Sequence, residues 1–142
     1  MLMGTYSHSL DTKGRLIVPS AFRKDLGDSF VITKNLDKCL AVYPDTEWAK
    51  LVEKMDALPK ISSEAARKLR RFYFGNSVSM EVDKQGRVLI PGNLREYADL
   101  TKDVTLVGVD DHVEIWDTEA WNKYNSDNDL SDIAYDLNGI NL

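Results

Sequence analysis

The chain has 142 residues, of which 43% are hydrophobic and 29% are charged, ordinary values for a globular protein of one domain or two small halves. Its apolar runs are too short to span a bilayer, and residues 1–14 lack the basic and apolar parts of a secretion signal, so we expect no membrane partner. The formal net charge of −5 is unevenly distributed: residues 1–75 carry 13 basic and 9 acidic side chains, and residues 76–142 carry 5 basic and 14 acidic ones. This distribution is compatible with a basic binding surface or with an ordinary solvated surface.

The first half of the chain is predicted to form strand, turn, strand, short helix, two strands and a second helix. In residues 11–23, DTKGRLIVPSAFR, an Asp-x-x-Gly-Arg turn precedes an apolar strand, and Pro19 ends that strand and begins the short helix. Strands are expected at 30–33 and 40–43. Asp45 is predicted to cap the next helix. The apolar face of that helix consists of Trp48, Leu51, Val52 and Met55.

A helical connector is predicted at residues 53–76. Pro59 ends the preceding helix, and Ser62 or Ser63 caps a second helix from 64 to about 74. Its buried side is expected to consist of Ala65, Ala66, Leu69, Phe72 and Tyr73. The same helix carries four positive charges, on Arg67, Lys68, Arg70 and Arg71. These charges are compatible with nucleic-acid contact, with a solvated face or with salt bridges to a neighbouring subunit.

The second half of the chain repeats the first. Residues 83–95, DKQGRVLIPGNLR, follow residues 11–23 at an offset of 72 positions. The identical pairs are Asp11/Asp83, Gly14/Gly86, Arg15/Arg87, Pro19/Pro91 and Arg23/Arg95. Strands at 104–107 and 113–116 and a helix capped by Asp117 complete the second copy. Because neither copy can bury its own apolar face, we predict that the two interlock about a pseudo-twofold axis into one small β-barrel with both turns on the same side.

The predicted organisation has four parts and belongs to the α+β class. A first repeat occupies residues 1–52, the helical connector 53–76, a second repeat 77–125 and an acidic C-terminal tail 126–142. The tail contains Asp127, Asp129, Asp132 and Asp136. One short helix is predicted within it, at 130–137, and the rest is expected to be loosely ordered.

The residue types that enzymes use are sparse in this chain. His8 and His112 are the only histidines, Cys39 is the only thiol, and no phosphate-binding Gly-rich loop or metal-ligand spacing occurs. A lone cysteine cannot form an internal disulfide, which is typical of the reducing cytoplasm. Asp110 and Asp111 lie in a predicted turn, where carboxylates commonly serve turn formation. We therefore expect a cytoplasmic protein that is not an enzyme and has no metal, no cofactor and no small-molecule substrate.

The two Asp-x-x-Gly-Arg turns, loop 1 (residues 11–15) and loop 2 (residues 83–87), carry the residues best suited to nucleic acid. An arginine can contact a guanine edge through two parallel hydrogen bonds or hold a phosphate. The candidate DNA-binding residues are Thr12, Lys13, Arg15, Lys84, Gln85 and Arg87. The candidate loop-shaping residues are Asp11, Gly14, Asp83 and Gly86. The residues alone leave open the alternative that the loops are a pair of structural turns.

Residues 1–23 and 83–116 resemble the MraZ family of bacterial regulators, within the AbrB-like (SpoVT–AbrB, swapped-hairpin) superfamily. The resemblance covers nearly the whole chain and includes both Asp-x-x-x-Arg motifs. It implies a tandem swapped-hairpin β-barrel formed by one chain and a closed homo-oligomeric ring. It also implies a nucleoid-associated regulator that represses, or otherwise modulates, transcription. The regulator would bind double-stranded DNA at short G-rich direct repeats upstream of its own division and cell-wall gene cluster.

The resemblance implies DNA contact by the six loop residues named above, with Asp11 and Asp83 shaping the loops. A second hypothesis is an antitoxin-type protein-interaction module, because AbrB-like proteins also bind toxins through a tail and the segment 126–142 is acidic. The doubled repeat within one chain favours the DNA-binding regulator over that alternative.

Overall fold

Two antiparallel sheets and six helices make up the part of the chain that this computed structural model describes, residues 1–127 and 130–137. The strands are β1 Leu2–Ser9, β2 Arg15–Ile17, β3 Ser29–Lys34, β4 Leu40–Pro44, β5 Val78–Glu81, β6 Arg87–Leu89, β7 Asp103–Asp110 and β8 Val113–Asp117. The helices are α1 Ser20–Leu26, α2 Asp45–Asp56, α3 Glu64–Gly75, α4 Gly92–Tyr97, α5 Thr118–Asp127 and α6 Leu130–Asp136. The predicted α+β class and the repeated order of strands and helices are confirmed.

The larger sheet joins the two repeats by exchanging their strands. Its six strands lie in the order β1-β7-β8-β4-β3-β5. The first strand of each repeat pairs with the third strand of the other repeat: β1 pairs with β7, and β5 pairs with β3. The last strands of the two repeats, β4 and β8, pair with each other at the centre of the sheet. The β1–β7 register runs from Leu2 opposite Asp110 to Ser9 opposite Asp103. Neither repeat can therefore leave the other without breaking backbone hydrogen bonds.

The prediction of a closed β-barrel is wrong. Within the described ranges the larger sheet ends at β1 and β5, and these two edge strands do not pair with each other. Each edge strand leads into a loop, and the strand that follows the loop is only three residues long and pairs with its counterpart, β2 with β6. Because the chain leaves the larger sheet at each loop, no strand remains to close it. The two-stranded sheet, called the ribbon below, forms a separate layer.

The hydrophobic core lies between the larger sheet on one side and the ribbon with α1 and α4 on the other. The ribbon contributes Leu16 and Val88, which are 1% and 5% exposed. Phe22 on α1 and Leu94 on α4 occupy equivalent positions of the two repeats and are almost wholly buried, against core residues such as Ile32. Burial of one such side chain contributes about 2 kcal/mol relative to its exposure. The side chains on the inner face of the ribbon, Leu16 and Val88, thus anchor it to the core.

The helix predictions are confirmed in position, and Ser63 is the cap of α3. Its side-chain oxygen accepts a hydrogen bond from the Ala66 N–H at 3.1 Å. Asp117 caps α5 in the same way, because its carboxylate accepts from the Ala120 N–H at 3.2 Å. The predicted burial of Ala65 is wrong: this residue is exposed, since the apolar stripe of α3 runs through its neighbour Ala66.

The prediction that Asp45 caps α2 is also wrong. Pro44, with extended backbone angles, takes the cap position, and Asp45 is the first helical residue. Its carboxylate instead accepts a hydrogen bond from the Ser29 hydroxyl, which ties α2 to β3.

The C-terminal segment is described in part. Helix α6 confirms the short helix predicted at 130–137. The predictions on residues 128–129 and 138–142 of the acidic tail lie outside the described residues. Among the helices that the structure describes, none combines the length and the apolar character needed to cross a membrane.

Candidate nucleic-acid interface

Loop 1 is held in shape by its own aspartate. One oxygen of Asp11, Oδ1, accepts from the amide N–H groups of Lys13 at 2.9 Å and Arg15 at 2.8 Å. The other oxygen, Oδ2, accepts from Arg15 Nε at 2.6 Å. The backbone adds hydrogen bonds from Asp11 N–H to the Arg15 carbonyl and from Gly14 N–H to the Asp11 carbonyl, both 3.0 Å long. The direction of the Arg15 side chain is therefore fixed by a charge-assisted hydrogen bond.

Loop 2 repeats this pattern atom for atom. Asp83 Oδ1 accepts from the amide N–H groups of Gln85 and Arg87, each at 2.9 Å, and Oδ2 accepts from Arg87 Nε at 2.9 Å. Two segments that are 72 positions apart thus have the same hydrogen bonds. In both loops Nε of the arginine is used by the aspartate, so the terminal guanidinium nitrogens remain available to a ligand.

Each loop glycine has a left-handed backbone conformation and lies against an arginine side chain. Gly14 has φ +82° and Gly86 has φ +76°, values that side-chain-bearing residues rarely adopt. A Cβ atom at Gly14 would also lie 2.7 Å from Cζ of Arg95, and one at Gly86 would lie 2.8 Å from Nη1 of Arg23. The arginine of each repeat's short helix therefore packs directly against the loop glycine of the other repeat.

Arg23 and Arg95 were not among the predicted site residues. Arg95 Nε also donates to the Ile90 carbonyl at 3.0 Å, which holds the guanidinium beside loop 1. The signal that could have found these residues is their identity in both copies of the thirteen-residue repeat. Sequence reasoning missed their role because each one acts on the loop of the opposite repeat, which only the strand exchange brings near.

The ribbon connects the two loops into one surface. In its antiparallel register Arg15 lies opposite Leu89, Leu16 opposite Val88 and Ile17 opposite Arg87. Loop 1 leads into one end of the ribbon and loop 2 into the other. Two further hydrogen bonds tie each loop to the opposite repeat, from Val18 N–H to the Gly86 carbonyl at 2.9 Å and from Ile90 N–H to the Gly14 carbonyl at 3.0 Å.

The other four predicted DNA-binding residues lie at the tips of the loops. Thr12 and Lys13 of loop 1 and Lys84 and Gln85 of loop 2 are all exposed. Neither lysine forms an ion pair with any residue that the structure describes. Each loop thus has one aspartate paired with one arginine and one unpaired lysine, which leaves a local surplus of positive charge.

Both loop aspartates are held ionised. The hydrogen bond from the Arg15 amide is the largest effect on the pKa of Asp11, which is lowered to about 2. Desolvation is the next largest effect and opposes this shift, and the Arg15 side chain and the Lys13 amide add smaller lowering effects. The pKa of Asp83 is lowered for the same reasons, first by the Arg87 amide. A carboxylate that is stabilised by these partners favours the formed loop at neutral pH.

Replacing Asp11 with asparagine is expected to weaken the acid dependence of folding. Because the folded-state pKa of about 2 lies below the ordinary value of 3.8, the contribution of Asp11 to stability is present above pH 3.8 and lost as the pH falls through 2. The free energy of unfolding of Asp11→Asn should therefore fall less steeply than that of the wild type between these pH values, as measured by urea unfolding. Equal slopes in the two proteins would contradict the hydrogen-bonded carboxylate.

Two of the four basic side chains of α3 make local contacts within the chain. Arg67 Nη1 donates to the Lys60 and Ile61 carbonyls at 3.1 and 3.0 Å. Arg70 Nη1 donates to the Met55 carbonyl at 2.9 Å and to Asp56 at 3.2 Å. Both arginines are thus used to hold the turn between α2 and α3. Lys68 and Arg71 are exposed and, within the described ranges, form no ion pair.

The strand-exchanged repeats and the paired Asp–Arg loops define a tandem-repeat protein with one loop-flanked ribbon on its surface. A family model described as "MraZ protein, putative antitoxin-like" matches residues 1–71 and 73–138. Each matched segment contains one repeat and one loop, and together they cover most of the chain. The chain belongs to the MraZ family, a regulator-type, antitoxin-like family, which confirms the resemblance drawn from the sequence.

Proposed function

We propose that the protein is a sequence-specific DNA-binding transcriptional regulator that acts as a repressor of its own division and cell-wall gene cluster. The observation that carries this proposal is the pair of identical Asp–Arg hydrogen-bond sets at the two ends of one ribbon. A structural turn needs the aspartate and the glycine, but it does not need an arginine whose terminal nitrogens make no hydrogen bond to the described residues, and here both copies have one.

In the proposed complex the arginines read bases and the loop tips hold the backbone. Arg15 and Arg87 each have free terminal N–H groups, which suit the O6 and N7 acceptors of guanine. Lys13, Lys84 and Thr12 are placed for phosphate contacts. Gln85 can donate to and accept from adenine. Because the aspartates already fix the arginines, little side-chain freedom is lost on binding.

Repetition is proposed to supply the affinity that one subunit lacks. We interpret the strand exchange as a tandem swapped-hairpin arrangement, and we propose that copies of the chain assemble into a closed ring on the nucleoid. Weak contacts by successive subunits to direct repeats then reinforce one another through effective concentration. The surplus positive charge at the loop tips supports DNA as the ligand although the whole chain carries −5. We propose no enzymatic role and no cofactor.

An antitoxin-type protein-interaction module is the second candidate. Two observations favour it: the antitoxin-like description of the family and the acidic composition of residues 126–142. In that function the tail would bind a protein partner, and the loops would serve chiefly as turns.

A gel-shift titration separates the two candidates. The full chain and a variant lacking residues 126–142 are titrated against DNA from immediately upstream of the protein's own gene and against unrelated DNA, at two salt concentrations. We expect both proteins to prefer the upstream fragment, with log K falling by roughly 0.9 per phosphate contacted for each tenfold rise in salt. Equal affinity of the full chain for both fragments would sink the proposal.

A further inference from the structure

The outer face of the ribbon combines two arginines with two exposed aliphatic side chains. Ile17 is 51% exposed and Leu89 is 58% exposed. They occupy equivalent positions of the two repeats, again 72 residues apart. In the antiparallel register each aliphatic residue lies opposite an arginine, so the four outward side chains form a checkerboard with Arg15 and Arg87 on one diagonal.

These two residues do not serve the core. The inner face of the ribbon already fills its side of the core with Leu16 and Val88. Single exposed apolar residues are common on protein surfaces and need no explanation. A matched pair on the one face that also presents two fixed arginines is different, because threonine would keep the strand propensity without exposing as much apolar surface to water.

The ribbon has the dimensions of a major-groove reader. Its strands are about 4.8 Å apart and its three paired positions span about 7 Å, whereas the major groove of B-DNA is about 12 Å wide and admits a two-stranded β-ribbon. Residues on a diagonal such as Arg15 and Arg87 are roughly 7–8 Å apart, close to two steps of 3.4 Å along one DNA strand. Side chains on this face can therefore address neighbouring base pairs.

We propose that the ribbon enters the major groove and that Ile17 and Leu89 contact thymine 5-methyl groups beside the bases read by Arg15 and Arg87. The 5-methyl of thymine is the apolar group that the unmodified base pairs present in this groove. This inference rests on the proposed DNA-binding function and adds the thymine-selective residues to it. A second copy of the chain is a poorer occupant, because joining two such faces would take four Asp–Arg ion pairs out of water without giving the terminal guanidinium nitrogens a new acceptor.

The test uses the upstream DNA fragment in two forms, one with thymine and one with deoxyuridine in its place. The proteins are the wild type, the double variant Ile17→Ser/Leu89→Ser and the control Met3→Ser, which removes an apolar side chain that is 65% exposed on β1. Dissociation constants are measured for all six combinations. We expect the wild type and Met3→Ser to lose about fivefold or more in affinity on the deoxyuridine DNA, and the double variant to lose less than about twofold.

The outcomes separate this inference from the function on which it rests. The methyl contact is overturned if the wild type and the double variant both bind the upstream DNA specifically and deoxyuridine changes their affinities equally, or not at all. The DNA-binding function would still stand. A double variant that changes subunit number in sedimentation, with thymine dependence intact, shows an interface between copies and also overturns it. Failure of the wild type to prefer the upstream DNA overturns both.

Discussion

Replacing Arg15 with glutamate is expected to abolish specific binding of the upstream DNA while the protein stays folded. A bidentate contact to guanine contributes about 1–3 kcal/mol, and a factor of ten corresponds to about 1.4 kcal/mol. The new carboxylate would also lie beside Asp11 and face the DNA with a negative charge. Together these effects predict a loss of about 100-fold or more, measured by gel shift, with folding checked by thermal unfolding. Arg87→Glu is expected to have the same effect.

Lys68→Glu is the matched control for this charge reversal. Lys68 is exposed on α3 and makes no ion pair among the described residues, so the variant changes the net charge by the same amount on an element outside the loops and the ribbon. We expect its affinity for the upstream DNA to stay within about threefold of the wild type at physiological salt. If Lys68→Glu lost binding and Arg15→Glu bound fully, the DNA interface would lie on the basic helix α3 and not on the ribbon.

Replacing Gly108 with alanine is expected to cause a large loss of stability. A Cβ atom at this position would lie 2.4 Å from the Met3 nitrogen and 2.7 Å from the Leu2 carbonyl carbon, both backbone atoms of β1. Since backbone cannot rotate away as a side chain can, β1 and β7 would have to separate along the ladder that joins the two repeats. We expect the free energy of unfolding to fall by about 3 kcal/mol, measured by denaturant titration.

Gly75→Ala provides the comparison for that experiment. Gly75 is the last residue of α3, and apart from its chain neighbours and its own helix backbone, no heavy atom of the described residues lies within 4 Å of the position its Cβ would take. We expect no loss of stability in this variant, because alanine is favoured over glycine in helices by about 0.5–1 kcal/mol. If the two glycine variants unfold at the same denaturant concentration, the close contact between β1 and β7 is not a constraint on the fold.

Local sequence chemistry was sufficient to place the elements of this fold. Pro19 and Pro91 end strands and precede helices, and the Asp-x-x-Gly-Arg segments form turns, because each of these effects acts within a few residues. The Asp45 cap failed for an equally local reason: Pro44 directly before it already supplies the extended cap conformation.

The pairing of the strands required information that no local pattern carries. A repeat predicts two related halves, but an open sheet and a closed barrel have the same succession of elements. What decides between them is that β2 and β6 are only three residues long and pair with each other. The roles of Arg23 and Arg95 were hidden for the same reason, because their partner glycines lie in the other repeat.

The candidate site was predictable in its residues and not in its geometry. The sequence identified both loops and their arginines, because identical residues recur at a fixed offset. It did not indicate that Arg67 of the basic helix donates to a carbonyl of the turn after α2, or that Arg70 donates to a carbonyl at the end of α2. It also did not show that Ile17 and Leu89 lie on the same face as the two arginines, since this depends on the register of β2 against β6.

Hydrogen–deuterium exchange of the assembled protein, with and without the upstream DNA, tests most directly whether the two loops and the ribbon form one DNA-binding surface. The amides of residues 12–17 and 84–89 are expected to exchange more slowly when DNA is bound, in both repeats together. Protection confined to residues 64–75 or to the C-terminal tail, with both loops unchanged, would contradict that claim.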